Sequence, residues 1–232
     1  MKLLFLHGAG NTGEVWHCQT RHFKEAEAVS LPGHLSPGEP CKSVEEYVEW
    51  LRSRLGGRLH PDVVLVGHSL GGAIAQSYAL NYPEDVEGLV LMGTGARLRV
   101  ADEVLGALRR GIEDPSGWLE LVESAYGRVV PEVRERIVSR IAQVGPAVQL
   151  SDMLCCHRFD VMERVHGIKA PTLILCGSED EMTPPKYSSY LAERIEGSRL
   201  VFIEGAGHLA FVEEPDAVNR AVEKFLSDLE GV

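Results

Sequence analysis

The chain has 232 residues, 44% hydrophobic and 25% charged, which suits one soluble domain with a large core, with room for an insertion. A net charge of −11 argues against a nucleic-acid surface, which needs a basic face. No apolar run approaches the length of a membrane span, and five cysteines with no secretion signal read as free thiols in a reducing cytoplasm.

Lys2 to Leu6 predicts a first strand. The following Gly8-Ala9-Gly10-Asn11-Thr12-Gly13 has the form of a dinucleotide fingerprint, but its context argues against one. Glu14 and the bulky Trp16 stand where a pyrophosphate and close helix packing would be, and the next strand, about 26–30, ends in Val29-Ser30-Leu31-Pro32 without an acid for a ribose hydroxyl. Leu31-Pro32-Gly33-His34 opens a turn-rich stretch. A helix is expected over about 43–56, with Ser43 as N-cap, Glu46 completing a capping box, and Gly56-Gly57 as the stop.

The most informative stretch follows. Val63-Val64-Leu65-Val66 reads as a fully buried strand, and Ala73 to Leu80 as a helix lying on a sheet. Between them lies Gly67-His68-Ser69-Leu70-Gly71, a G-x-S-x-G turn. In a strand–turn–helix context this turn forces the serine into a strained conformation and exposes its hydroxyl at a helix N-terminus, where developing negative charge is favoured. Another strand is expected between Val86 and Met92.

From about 94 to 167 helical periodicity replaces alternation. Three apolar faces are expected: Val100, Val104, Leu105, Leu108 and Ile112; Trp118, Leu119, Val122, Ala125 and Tyr126; Val133, Ile137, Val138, Ile141 and Val144. A fourth helix is expected from Ala147 to Arg158. Alternation then resumes with a strand at Pro171–Cys176, a helix at Pro185–Ile195, a strand at Leu200–Ile203 and a closing helix at Pro215–Leu229. The expected fold is therefore α/β, doubly wound, with a mostly parallel six-stranded sheet in the order second, first, third, fourth, fifth, sixth. The winding reverses between the first and third strands, so a crevice should open beside the serine and the first glycine loop.

A serine needs a base, and the base needs an orienting group. Nine histidines compete for the first role. His208 lies in a Gly-rich loop after the sixth strand, in the chain order serine, acid, histidine. His7 is expected to shape the glycine loop, and His68 to pack against the sheet. His34 reads as a surface turn or a pocket residue, and His157 as a residue facing substrate. His17, His22, His60 and His166 read as solvent or helix-surface residues. Glu179, Asp180 and Glu181 compete for the acid, Asp180 being favoured for its short side chain and its place before Pro184.

These residues carry a resemblance. His7-Gly8-Ala9-Gly10 with Trp16 beyond it, Leu31-Pro32-Gly33-His34, Gly67-His68-Ser69-Leu70-Gly71-Gly72, Gly177-Ser178-Glu179-Asp180 through Thr183-Pro184, and Ala206-Gly207-His208 through Glu214-Pro215 together resemble the α/β-hydrolase superfamily over nearly the full length. The chain starts at what would be that family's third strand, without its N-terminal edge hairpin. The resemblance implies a core of residues 1–95 and 168–232, a helical lid of residues 96–167, and a Ser69–Asp180–His208 triad. It also implies an oxyanion hole from the backbone N–H groups of Ala9 and Leu70. Substrate contacts are expected from Gly10, His34, His68, Trp118 and His157. Trp118, Leu121, Tyr126 and Met153 suggest an apolar pocket, though they serve equally to bury the lid.

The expected reaction is acyl transfer from a small to medium ester to water, with no metal or organic cofactor, in a cytoplasmic monomer or homodimer acting on a small molecule. Cys155-Cys156-His157 hints at a metal, but adjacent helical cysteines point to different faces. The alternatives are C–C bond hydrolysis, a lyase reaction like that of the menaquinone-pathway synthases, or a non-catalytic receptor. The catalytic loops lack the arginine cluster a dianionic substrate would want, although Arg97, Arg99, Arg128 and Arg158 of the insertion lie within reach in sequence.

Overall fold

A computed structural model of the chain describes residues 1–57 and 62–231. The surface reading of His60 lies outside the described residues. Six strands form one parallel sheet: β1 (Lys2–Leu6), β2 (Ala26–Val29), β3 (Val63–His68), β4 (Gly88–Met92), β5 (Thr172–Gly177) and β6 (Arg199–Ile203). Their order is β2-β1-β3-β4-β5-β6, as the alternation predicts. β3, β4 and β5 are buried along their whole lengths, which their apolar runs require of central strands, whereas the edge strand β6 is partly exposed and carries Arg199.

Side chains alternate across the sheet. Leu4, Leu6 and Leu65 face a core shared with α2 (Val44–Arg54) and α3 (Leu70–Asn81). Leu3, Phe5, Val64 and Val66 face the other core, closed by the 3₁₀ turn Gly13–Trp16, α9 (Ala210–Glu213) and α10 (Pro215–Glu230). There the Trp16 ring stacks on Phe211 with centroids 4.1 Å apart and leans on Phe5. The glycine-rich loop after β1 thus leads into a sealed indole, and α1 (His17–His22) follows.

The insertion comprises α4 (Asp102–Glu113), α5 (Pro115–Ala125), α6 (Pro131–Val144) and α7 (Pro146–Arg158); α8 (Pro185–Arg194) lies between β5 and β6. The ends of the insertion are tied together at its base. Val161 N–H donates to the Ala96 carbonyl at 2.8 Å, and Arg97 pairs with Asp160. Of the first expected apolar face, Leu105 and Leu108 are buried, but Val104 and Ile112 are 43% and 48% exposed. α7 is the most deeply seated of the four, with Cys155 and Cys156 buried in the same core as α2 and α3.

The cap of α2 forms with one difference from the expected box. Ser43 Oγ accepts from the Glu46 N–H at 3.2 Å, but the Glu46 carboxylate reaches back to the Lys42 N–H rather than to that of Ser43. Ser43→Ala should therefore lower stability by about 1 kcal/mol, read from the urea midpoint, without altering the sheet.

Candidate active site

In this parallel sheet every strand ends at the same edge, and the loops that leave it converge. Ser69 leaves β3 with φ 52° and ψ −113°, one of two described non-glycine residues with positive φ. Its N–H donates to the Met92 carbonyl at 3.0 Å, and its carbonyl accepts from Thr94 Oγ1 at 3.0 Å. Leu70 then begins α3, so its N–H is one of the helix's free donors.

Asp180 and His208 come from the loops after β5 and β6. His208 Nδ1 lies 2.9 Å from Asp180 Oδ2. Asp180 is buried and also accepts from the backbone N–H groups of Met182 and Thr183 and from Thr183 Oγ1, at 2.8–2.9 Å. Burial opposes its charge, but the bonds from His208 and Thr183 outweigh this and hold its pKa below the usual carboxylate value. Because Asp180 Oδ2 accepts at Nδ1, the neutral imidazole carries its proton there and leaves Nε2 as the basic nitrogen. Of the competing acids, Glu179 is exposed and paired with Arg128, and Glu181 is exposed.

Ser69 and His208 line one cavity of about 440 Å³ together with Gly8, Ala9 and His68. The remaining walls come mostly from the insertion, among them Leu108, Trp118, Leu121, Val122 and Tyr126. Its polar groups are largely engaged with one another. The Trp118 indole N–H donates to Gln149 at 2.6 Å, and the Tyr126 hydroxyl donates to Asn11 at 3.0 Å. Among the described lining residues Glu103, on the exposed rim, is the one carboxylate, and no lysine or arginine lines the cavity.

The residues expected at a substrate divide into two groups. Trp118 and His68 line the cavity, His68 as a buried ring 4.5 Å from that of His208 with Nε2 3.0 Å from the His208 carbonyl. Gly10, His34 and His157 do not line it. Gly10 donates its N–H to Asp152, His34 is fully buried against the same carboxylate, and His157 Nδ1 lies 3.0 Å from the Val100 carbonyl oxygen. The insertion's arginines are also engaged elsewhere: Arg97 with Asp160, Arg99 with the His157 carbonyl, Arg128 with Glu179, and Arg158 with the Lys42 carbonyl. Asp152 was not among the sequence-predicted residues. Its signal is a carboxylate within an otherwise uncharged run, Ala147 to His157, of a buried helix. Among the described residues no three His, Cys, Asp or Glu side chains are grouped so as to hold a metal ion. No described helix is long and apolar enough to cross a membrane.

Known proteins can be set beside this geometry. The pattern of the alpha/beta hydrolase family matches residues 3–221. The chain belongs to that family. A pimeloyl-[acyl-carrier protein] methyl ester esterase of Neisseria meningitidis is 27% identical over 82% of this chain and 78% of its own. A putative 2-succinyl-6-hydroxy-2,4-cyclohexadiene-1-carboxylate synthase of Bacillus subtilis is 31% identical over 74% of this chain and 68% of its own. A thermophilic esterase of solved structure is 34% identical with a TM-score of 0.83, covering 98% of this chain and 90% of that one.

Burial of the histidines around this α/β-hydrolase site sets a pH dependence. Burial, with the neighbouring His34, lowers the His7 pKa to about 3, and burial takes His68 well below its ordinary value. A ring that stays neutral in the fold but charges when unfolded stabilises the protein only above the unfolded pKa of about 6.5. His34 has the opposite sign. Burial opposes its charge, but the bonded Asp152 raises its pKa overall, so its contribution is complete below about 6.5 and fades as pH rises through the folded value. Urea midpoints should therefore fall between pH 6.5 and 5, by about 1.4 kcal/mol per pH unit for each uncompensated ring. A flat profile there would mean that His7 and His68 take up protons without unfolding.

Proposed function

We propose that this α/β-hydrolase is a serine esterase for small to medium, uncharged carboxylic esters. The observation that carries the reading is the Asp180–His208 pair, 2.9 Å apart, with His208 lining the same apolar cavity as a serine held at positive φ. Ser69 Oγ attacks the ester carbonyl while His208 Nε2 takes its proton, and the carbonyl oxygen becomes an oxyanion. The Ala9 and Leu70 amides stabilise that oxygen, a term typically worth about 3 kcal/mol per donor. His208 then protonates the departing alcohol, leaving an acyl-serine. Water attacks the acyl group, giving its proton to His208, and the serine regains its hydrogen as the acid leaves. Asp180 orients the ring and stabilises the imidazolium. The insertion acts as a lid whose α4 and α5 choose among acyl groups.

The apolar lining supports an uncharged acyl group, since a buried charge without a partner is strongly disfavoured. A second reading rests on the Bacillus subtilis relative, whose name describes a doubly carboxylated product. The absence of a lining cation among the described residues, and the engagement of Arg97, Arg99, Arg128 and Arg158 elsewhere, weigh against a dianionic ligand.

Three measurements test the proposal. A fluorophosphonate probe should label Ser69 alone, and p-nitrophenyl esters with short or medium acyl chains should turn over. Labelling that survives Ser69→Ala would remove the assignment, and labelling without turnover on any ester would shift weight to the lyase or C–C reaction. Asp180→Asn should keep the fold yet lose about four orders of magnitude in kcat, because the imidazole tautomer is then wrong. A rate within tenfold of the parent would place the acid elsewhere.

A further inference from the structure

The Asp152 carboxylate is fully buried, and three donors converge on it. The Gly10 N–H reaches Oδ2 at 2.8 Å, His34 Nε2 reaches the same oxygen at 2.7 Å, and the Tyr47 hydroxyl reaches Oδ1 at 2.7 Å. The other His34 nitrogen, Nδ1, lies 2.9 Å from the Pro32 carbonyl, which can only accept. Both ring nitrogens thus face acceptors, an arrangement that suits an imidazolium paired with a carboxylate. A buried ion pair seldom adds stability over an apolar replacement, so its presence here calls for another role.

That role follows from the loop it holds. The peptide unit that bears the Ala9 N–H also bears the Gly8 carbonyl. The carbonyl accepts from His7 Nδ1 at 2.8 Å and from the Asn11 N–H at 3.2 Å. His7 can donate there because its Nε2 accepts the Leu31 N–H at 3.0 Å, which fixes the tautomer. The next peptide unit is held through its N–H by Asp152. A trans peptide points its N–H opposite its C=O, so restraining these two units in series fixes the direction of the Ala9 N–H. Gly10, with φ +69°, is otherwise the residue freest to let the loop swing. We infer that Asp152 is a positioning residue: through the Gly10 N–H it pre-orients the Ala9 amide for the oxyanion, and so makes docking of α7 a condition of full activity.

This inference rests on the reading of Ala9 as an oxyanion donor. Its test compares Asp152→Asn with Phe225→Leu, a core variant on α10 packed against Gly88 at the start of β4, the sheet edge opposite the site. Asp152→Asn should reduce kcat on p-nitrophenyl butyrate by about 10- to 100-fold with KM within about twofold, a part of the loss typical of a missing donor. Fluorophosphonate labelling of Ser69 should slow by a similar factor, because that reaction also develops charge on oxygen. Phe225→Leu should lower the urea midpoint and change neither rate. If Asp152→Asn does not fold, Asp152→Glu keeps the charge against His34 but displaces the acceptor by one methylene, and the same split is expected. A folded variant whose kcat and labelling rate stay within about threefold of the parent would overturn the inference and leave Asp152 a structural group. If the parent labels at Ser69 but turns over no ester, the esterase reading fails while the labelling rates still decide this one. If the parent does not label at all, both fall.

Discussion

Three backbones meet at the turn after β3. A Cβ on Gly71 would stand 2.2 Å from the Leu6 carbonyl oxygen, and one on Gly67 would stand 2.3 Å from the carbonyl oxygen of Gly71. α3 can therefore start directly against β1 and β3 only if both positions are glycine. That closeness is what drives Ser69 to φ 52°. A strained residue of this kind costs of the order of 1–3 kcal/mol and persists only where its surroundings over-determine it. Here β3 is buried along its whole length, and bonds to Met92 and Thr94 hold both sides of Ser69. The position of the hydroxyl is thereby set by the sheet and not by a mobile loop. The β1 loop that carries Ala9 is tied to the same approach, because Gly71 packs on the last residue of β1.

Charge around the serine has to be arranged with equal care, because the rings are crowded. The His68 ring lies 4.5 Å from that of His208, and the His7 ring 4.8 Å from that of His34. In each pair, two cations side by side would repel. Burial keeps His68 and His7 neutral, and each uses its neutral form structurally: His7 through an accepting Nε2 and a donating Nδ1, His68 through Nε2 beside the His208 carbonyl. The other member of each pair has a carboxylate, Asp180 for His208 and Asp152 for His34. Two neutral histidines thus separate two carboxylate–histidine pairs that serve different ends.

Much of this was legible in the sequence because it rests on local pattern. The apolar run Val63–Val66 could only be a central strand, and alternation with right-handed crossovers leaves few strand orders. That Ser69, Asp180 and His208 would come together was legible because the loops after β3, β5 and β6 leave a parallel sheet at one edge. What escaped was what depends on packing at long range. Val104 and Ile112 follow the periodicity of α4 but are exposed, because periodicity cannot say how wide a face the neighbouring helix covers. His34 looked like a surface turn because Pro and Gly surround it, yet the turn folds under α7 and its ring is sealed. Asp152 itself lies 142 residues from Gly10, and no pattern within one helix announces such a partner.

The insertion consequently does two different things. α4 and α5 present Leu108, Trp118, Leu121 and Val122 to the cavity, where changes alter what fits. α7 presents Cys155 and Cys156 to the core beneath it, Asp152 to the β1 loop, and Gln149 and Met153 to the cavity wall. A single strip of sequence between β4 and β5 therefore mixes residues free to vary with substrate and residues bound to the sheet. The boundary between them falls within the insertion rather than at its ends. Gly145, at φ +88° with no atom within 4 Å of where a Cβ would be, marks the corner at which the chain turns from α6 into α7. On the proposed reading, diversification of specificity on this scaffold is expected to concentrate in α4 and α5, because a change at Asp152 of α7 would also release the Gly10 N–H.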